Sequence, residues 1–205
     1  MKAKLLALIL GGAIFVSVSP SYAAASSISR DDFKIYLETR DALQDERVQA
    51  MPEARRLREI ARRNFKLSEP ALQAILDKVE AEGGEQGVAA EAKKAIEDAL
   101  AGTALKDRIL EVRVDTGSPH VVAYIKWTGA PDRVLEEAVL VALKAGSATA
   151  VPSTLQVWSV DPNGEDLWLA RIGADRTRNI REDRIEDWAE TRYVRLFEVD
   201  RNRSR

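Results

Sequence analysis

The residues from Ile109 to Trp127, ILEVRVDTGSPHVVAYIKW, set the terms on which the rest of the chain folds. Leu110, Val112 and Val114 alternate with Glu111, Arg113 and Asp115, the period of two that belongs to a strand with one buried and one wet face. Thr116-Gly117-Ser118-Pro119 interrupts with turn residues, and His120 to Trp127 supplies a second β-rich run. The pattern predicts a β-hairpin, against whose apolar side the following elements must pack.

Before the hairpin the periodicity is helical. A first helix is expected from Ser29 or Asp31 as cap, with Phe33, Tyr36, Leu37 and Leu43 inward and an end near Met51-Pro52. A second spans Glu53 to Asn64, with Leu57, Ile60 and Ala61 forming a stripe among Arg55, Arg56, Arg58, Arg62 and Arg63. Ser68 caps a third, Pro70 suits its first turn, Leu72, Ile75, Leu76 and Val79 form its apolar face, and Gly83-Gly84 stops it. A fourth, Val88 to Leu100, presents Val88, Ala92, Ile96 and Leu100 and closes on Gly102.

From Leu105 onward Val, Ile, Trp and Tyr replace Ala and Arg. After the hairpin a helix is expected from Asp132 to Lys144, with Gly146 ending it. Strands at Leu155–Val160 and Glu165–Ile172 follow, joined by Asp161-Pro162-Asn163-Gly164, whose Asn-Gly suits a tight turn. The tail reads as a short charged helix from Ile180 to Ala189 and an edge strand from Tyr193 to Val199; a single long helix through Val199 competes. The fold class is therefore α+β: about four N-terminal helices, then a β-β-α-β-β-α-β antiparallel sheet domain. The expected division is a leader over 1–25, a helical region over 26–104 and the α+β domain over 105–205.

That leader is read from three ordered regions: Lys2 and Lys4, the apolar Leu5–Val18, and the small-x-small site Ser21-Tyr22-Ala23. Its 14 positions, nearly all apolar, fall short of the roughly 20 that a membrane-crossing helix requires. The expectation is a cleaved signal peptide, a periplasmic or secreted product and no membrane span after cleavage. Cleavage would remove Lys2 and Lys4, turning 31 basic residues against 33 acidic into 29 against 33 and a net charge of −2 into −4. Such a body has no general attraction to nucleic acid or anionic lipid. With no cysteine, the chain has neither a lipid-attachment site nor thiol chemistry, and it must fold by apolar burial, for which 45% hydrophobic residues suffice.

Two short motifs carry family resemblances. Asp115-Thr116-Gly117-Ser118, between Val114 and Val121, resembles the active-site loop of retropepsin-like aspartic proteases. The resemblance implies a catalytic Asp115, with Thr116 and Gly117 completing the loop and a second loop from another subunit pairing the carboxylates. The family's apolar-apolar-Gly segment would fall at Arg171-Ile172-Gly173, where Arg171 departs from it. Read locally, the same residues are good turn formers.

Glu59 to Leu76, EIARRNFKLSEPALQAIL, resembles the helix-turn-helix of DNA-binding proteins, with Asn64, Phe65 and Lys66 where that family's turn usually has Gly. It implies phosphate contacts by the arginines if the chain is not exported. Otherwise the pair is two packed helices with a solvated arginine face.

Other chemistry is thin. His120 is the single histidine and no Gly-x-Ser-x-Gly elbow accompanies it. Asp132, Glu136 and Glu137 fit the positive end of a helix, and no metal-ligand spacing occurs. Trp127, Trp158 and Trp168 fall in strands and could form a contact platform, although Trp158 and Trp168, on strands joined by one turn, also suit packing against each other. The expected function is a non-catalytic binding or structural module of the bacterial envelope. Its partner would be an envelope protein, a peptide or a glycan, and neither cofactor nor metal is expected.

Overall fold

The computed structural model describes residues 28–117, 120–185 and 192–200. The expected leader falls outside them. Ser29 opens α1 (Arg30–Gln44), its hydroxyl accepting the Asp32 N–H at 3.0 Å, and Phe33 and Leu37 are buried while Leu43 is exposed. The helix stops earlier than its periodicity suggested. Asp45 turns extended and its carboxylate accepts the Arg47 N–H at 2.8 Å, capping a separate one-turn helix, α2 (Glu46–Gln49).

α3 (Glu53–Ile60) runs into a π-turn over Ala61–Phe65, which Lys66 closes in the left-handed region at φ 57°. α4 (Glu69–Ala81) starts from Ser68 and ends before Gly83, at φ 88°. α5 (Gly84–Ala101) then begins four residues before the expected Val88, and buries Val88, Ala92, Ile96 and Leu100 as its spacing required.

The sheet contains β1 (Ile109–Asp115), β2 (Val122–Thr128), β3 (Thr154–Val160), β4 (Asp166–Gly173) and β5 (Glu198–Val199), side by side in chain order. It is mixed, not antiparallel throughout. β1–β2, β3–β4 and β4–β5 are antiparallel, while β2 and β3 pair in parallel with Ile125 opposite Val157. The reason is α6 (Val134–Ala148), which carries the chain back across one face so that β3 sets off in the direction of β2.

Three further corrections follow from tertiary contact. Leu110 is 56% exposed, because an irregularity between Ile109 and Glu111 shifts the alternation and turns Ile109 to the core instead. Gly146 lies inside α6; a Cβ there would sit 2.2 Å from the Thr177 hydroxyl, so glycine permits close approach rather than ending the helix. In the tail, residues 186–189 of the expected 180–189 helix lie outside the described residues. The described part has 3-10 turns at Glu182–Arg184 and Val194–Leu196, and the expected strand shrinks to the two residues of β5.

The main apolar core lies between the sheet and the helices α5 and α6, joining Ile96 and Leu100 to Ile125, Trp127, Val139, Ala142, Leu155 and Val157. A second cluster seats Phe33, Leu37, Val79, Val88 and Ala92 on Val121 and Val151. A third, Ile60, Ala61 and Leu72, holds α3 to α4. α5 thus contributes its first turns to one core and its last to another. No helix among the described residues is long and apolar enough to cross a membrane.

Candidate binding face

With α5 and α6 on one side of the sheet, the residues between the inward positions point the other way. Register aligns them in two transverse rows. Arg113, Tyr124, Gln156, Arg171 and Glu198 cross all five strands, and Glu111, Lys126, Trp158 and Leu169 run beside them. The Arg113 guanidinium lies 4.5 Å from the Tyr124 ring centre, and the Lys126 ammonium 3.8 Å from that of Trp158. Each pair joins neighbouring strands by cation–π attraction. The Trp158 indole N–H donates to Asp166 Oδ1 at 2.7 Å, which fixes the ring plane.

Only one of the three tryptophans named from sequence belongs to this face. Trp127 is fully buried, and its indole N–H donates to Glu137 Oε2 at 3.1 Å. Trp168 is 4% exposed, opposite Ser159 in register and edge-on to Phe197 with centroids 5.1 Å apart. Trp158 instead pairs with Leu169, so the two tryptophans lie on opposite faces and do not pack together as their shared turn suggested. The offset is a single residue, enough to exchange faces in a strand.

Glu137, one of the first-turn acids, has a different job from the one its position implied. It is 6% exposed; Oε1 accepts from Arg108 at 2.6 Å and Oε2 from Trp127 and from the Ala130 N–H at 3.1 Å. The carboxylate therefore ties the entry to β1, the far end of β2 and the turn before α6 into one network. A sequence signal existed: Glu137 stands one turn before the inward Val141 and beside Ala138. Beside it a cleft of about 390 Å3 is lined by Arg108, Arg133, Glu136, Leu140 and Ile185. Both Glu137 oxygens are already occupied by donors, so the cleft has no free buried acid or base in that residue.

Asp115 ends β1 on the surface, and its Oδ1 accepts the Gly117 N–H at 3.2 Å, the local bond of an Asx turn. The Thr116 hydroxyl donates to Glu85 of α5, which also pairs with Arg40 of α1. These bonds dock the turn on the helical half. Close by, Tyr36 donates to Glu80 at 2.5 Å; burial and then that carboxylate push its hydroxyl up to about 12.

In and just before the helix-turn-helix-like segment, Arg56, Arg58, Arg62 and Arg63 are engaged within the chain. Arg58 pairs with Glu69 at 3.0 Å, Arg62 and Arg63 share Glu59, and Arg56 donates to the carbonyls of Met51 and Gln49 at 3.0 and 2.8 Å. The two cations hold the Glu59 carboxyl below its ordinary range, Arg62 foremost.

The sheet face carries two depressions. One, of about 470 Å3, is lined by His120, Tyr124, Thr154, Gln156, Arg171 and Arg176 among others. The other, of about 200 Å3, lies between Glu111, Arg113, Tyr124, Lys126, Gln156 and Trp158. Tyr124 and Gln156 border both. Among the described residues no three acidic or histidine side chains converge as a metal site would require. No family model, no curated protein and no solved structure matches this chain.

Proposed function

We propose that the protein is an exported, non-catalytic binding module of the bacterial envelope, contacting a glycan or peptide through the outward face of its sheet. One observation carries the reading: Tyr124 and Trp158 stand on adjacent strands of that face, each held in place by a cation from its neighbour. Rings fixed in this way offer planar, half-buried contact area with little rotamer freedom left to lose on binding. The opposite face is already committed to the core beneath α5 and α6. Export is supported by the ordered charged, apolar and small-residue regions at residues 1–25.

Two measurements test the two halves. Intact-mass analysis of the native protein should give a chain starting after Ala23 or Ala25; a chain retaining Met1 to Ala23 would overturn export. Separately, the purified protein should retain soluble cell-wall glycan or peptide fragments, with the Trp158 indole N–H resonance moving on binding. Tyr124→Ala/Trp158→Ala should lower retention about tenfold, on the magnitudes for loss of stacked aromatic contacts. Equal retention by the folded double variant would move the contact surface elsewhere.

A further inference from the structure

The larger depression on this face has a chemical bias. Arg171 lies between Gln156 of β3 and Glu198 of β5 in register, and its Nε–H donates to Gln156 Oε1 at 3.1 Å. That bond sets the plane of the guanidinium and leaves both terminal amino groups without a protein acceptor among the described residues. Arg176, in the 3-10 segment Ala174–Asn179 that follows β4, donates from one terminal nitrogen to the Leu196 carbonyl at 3.3 Å. Neither has a carboxylate within 4 Å among the described residues. The neighbouring Arg30 and Arg178 do, sharing Asp175 at 2.7 and 3.9 Å.

The lining is rich in donors. Besides the two arginines it holds His120, Thr154, Tyr124 and Gln156, against the single carboxylate of Glu198. Two guanidinium groups therefore face one concavity on a chain whose net charge is −2. Guanidinium has donors and no acceptor, and its fork matches two oxygens of a carboxylate, sulfate or phosphate. At about 470 Å3 the depression exceeds what a lone oxyanion fills. Since Tyr124 and Gln156 also border the aromatic depression, a ligand anchored here would reach Trp158.

We infer that this depression is an oxyanion seat: Arg171 and Arg176 bind a carboxylate, sulfate or phosphate substituent of a larger ligand whose body lies along Tyr124 and Trp158. The inference rests on the reading of this face as the contact surface. It deepens that reading by fixing one charged group on the ligand and the residues that take it.

The test titrates the purified protein with glucuronate, inorganic sulfate and inorganic phosphate in turn, at ionic strength held constant with chloride, while side-chain N–H resonances of Arg171, Arg176 and Trp158 are followed. Saturable shifts of the arginine signals with at least one probe are expected, and the probe that saturates at lowest concentration identifies the group. Arg171→Gln and Arg176→Gln should each weaken that binding about tenfold, the scale of a lost charge-assisted hydrogen bond. Arg171→Lys, keeping charge without the fork, should fall between. Shifts that grow linearly and alike for all three probes, or binding unchanged in both folded Gln variants, would overturn the seat. Should Trp158 respond to an uncharged oligosaccharide while no anion binds, the seat fails and the contact face stands. Anion binding with a Trp158 signal that no glycan or peptide moves would keep the seat and defeat the wider reading.

Discussion

The carboxylate of Glu137 accepts the indole N–H of Trp127 at 3.1 Å inside the main core. The same oxygen takes the Ala130 N–H and its twin faces Arg108, so one acidic side chain satisfies a buried indole, a backbone amide and a cation.

Glu137→Ala should therefore cost about 2–4 kcal/mol, since it strands a buried indole N–H, a part-buried amide and an arginine that is partly shielded from water. Glu137→Gln should cost less, because the amide oxygen can still accept from one donor. Urea unfolding of the three proteins measures this; equal midpoints for wild type and Glu137→Ala would show the network contributes nothing.

Gly146→Ala tests packing against propensity. In an exposed helix the change gains up to about 1 kcal/mol. Here the new Cβ would meet Thr177 Oγ1 at 2.2 Å and its methyl carbon at 2.8 Å. A loss of about 1–3 kcal/mol is expected from overpacking, read as a lower thermal midpoint.

Lys66 holds a left-handed conformation at φ 57° that costs a residue with a Cβ about 1–2 kcal/mol. Lys66→Gly should raise stability by about 0.5–1 kcal/mol once glycine's greater freedom in the unfolded chain is counted. Lys66→Val should lower it, and denaturant midpoints for the pair give the sign.

Stability should fall at both ends of the pH scale, for different reasons. The Asp32 carboxyl is held below its ordinary value of 3.8, first by its hydrogen bond to Lys78 at 2.9 Å. A lowered acid contributes stability above that ordinary value, and the contribution is lost as pH falls through the lowered one. Tyr36 behaves oppositely: raised from 10.0 to about 12, it contributes fully below 10.0 and loses the contribution as pH climbs towards 12. Asp32→Asn should flatten the acid limb of an unfolding profile, and Tyr36→Phe the alkaline limb. A Tyr36→Phe profile superimposable on wild type above pH 10 would contradict the second assignment.

What could be read from the sequence was whatever depends on neighbours along the chain. Ser29 and Ser68 cap their helices as local chemistry dictates, and the spacing of Val88, Ala92, Ile96 and Leu100 gives the buried face of α5. The misses share another character. The inward turn of Ile109 depends on a pairing irregularity, the separation of Trp158 from Trp168 on a one-residue register, and the role of Gly146 on Thr177 from a distant segment. The parallel β2–β3 pair required knowing which way α6 returns. Arg171 drew notice only for departing from a protease pattern; its place beside Gln156 and Arg176 is visible only once β3, β4 and the segment after it are folded together.

The parallel pairing of β2 with β3 also bears on how the chain reaches this state. Each of the hairpins β1–β2 and β3–β4 closes over a short loop, but the seam between them joins Val122 to Thr154 and can form only after a long crossover has been brought round. That closure is the slowest search in the sheet, and until it succeeds two apolar strands lie open to other chains.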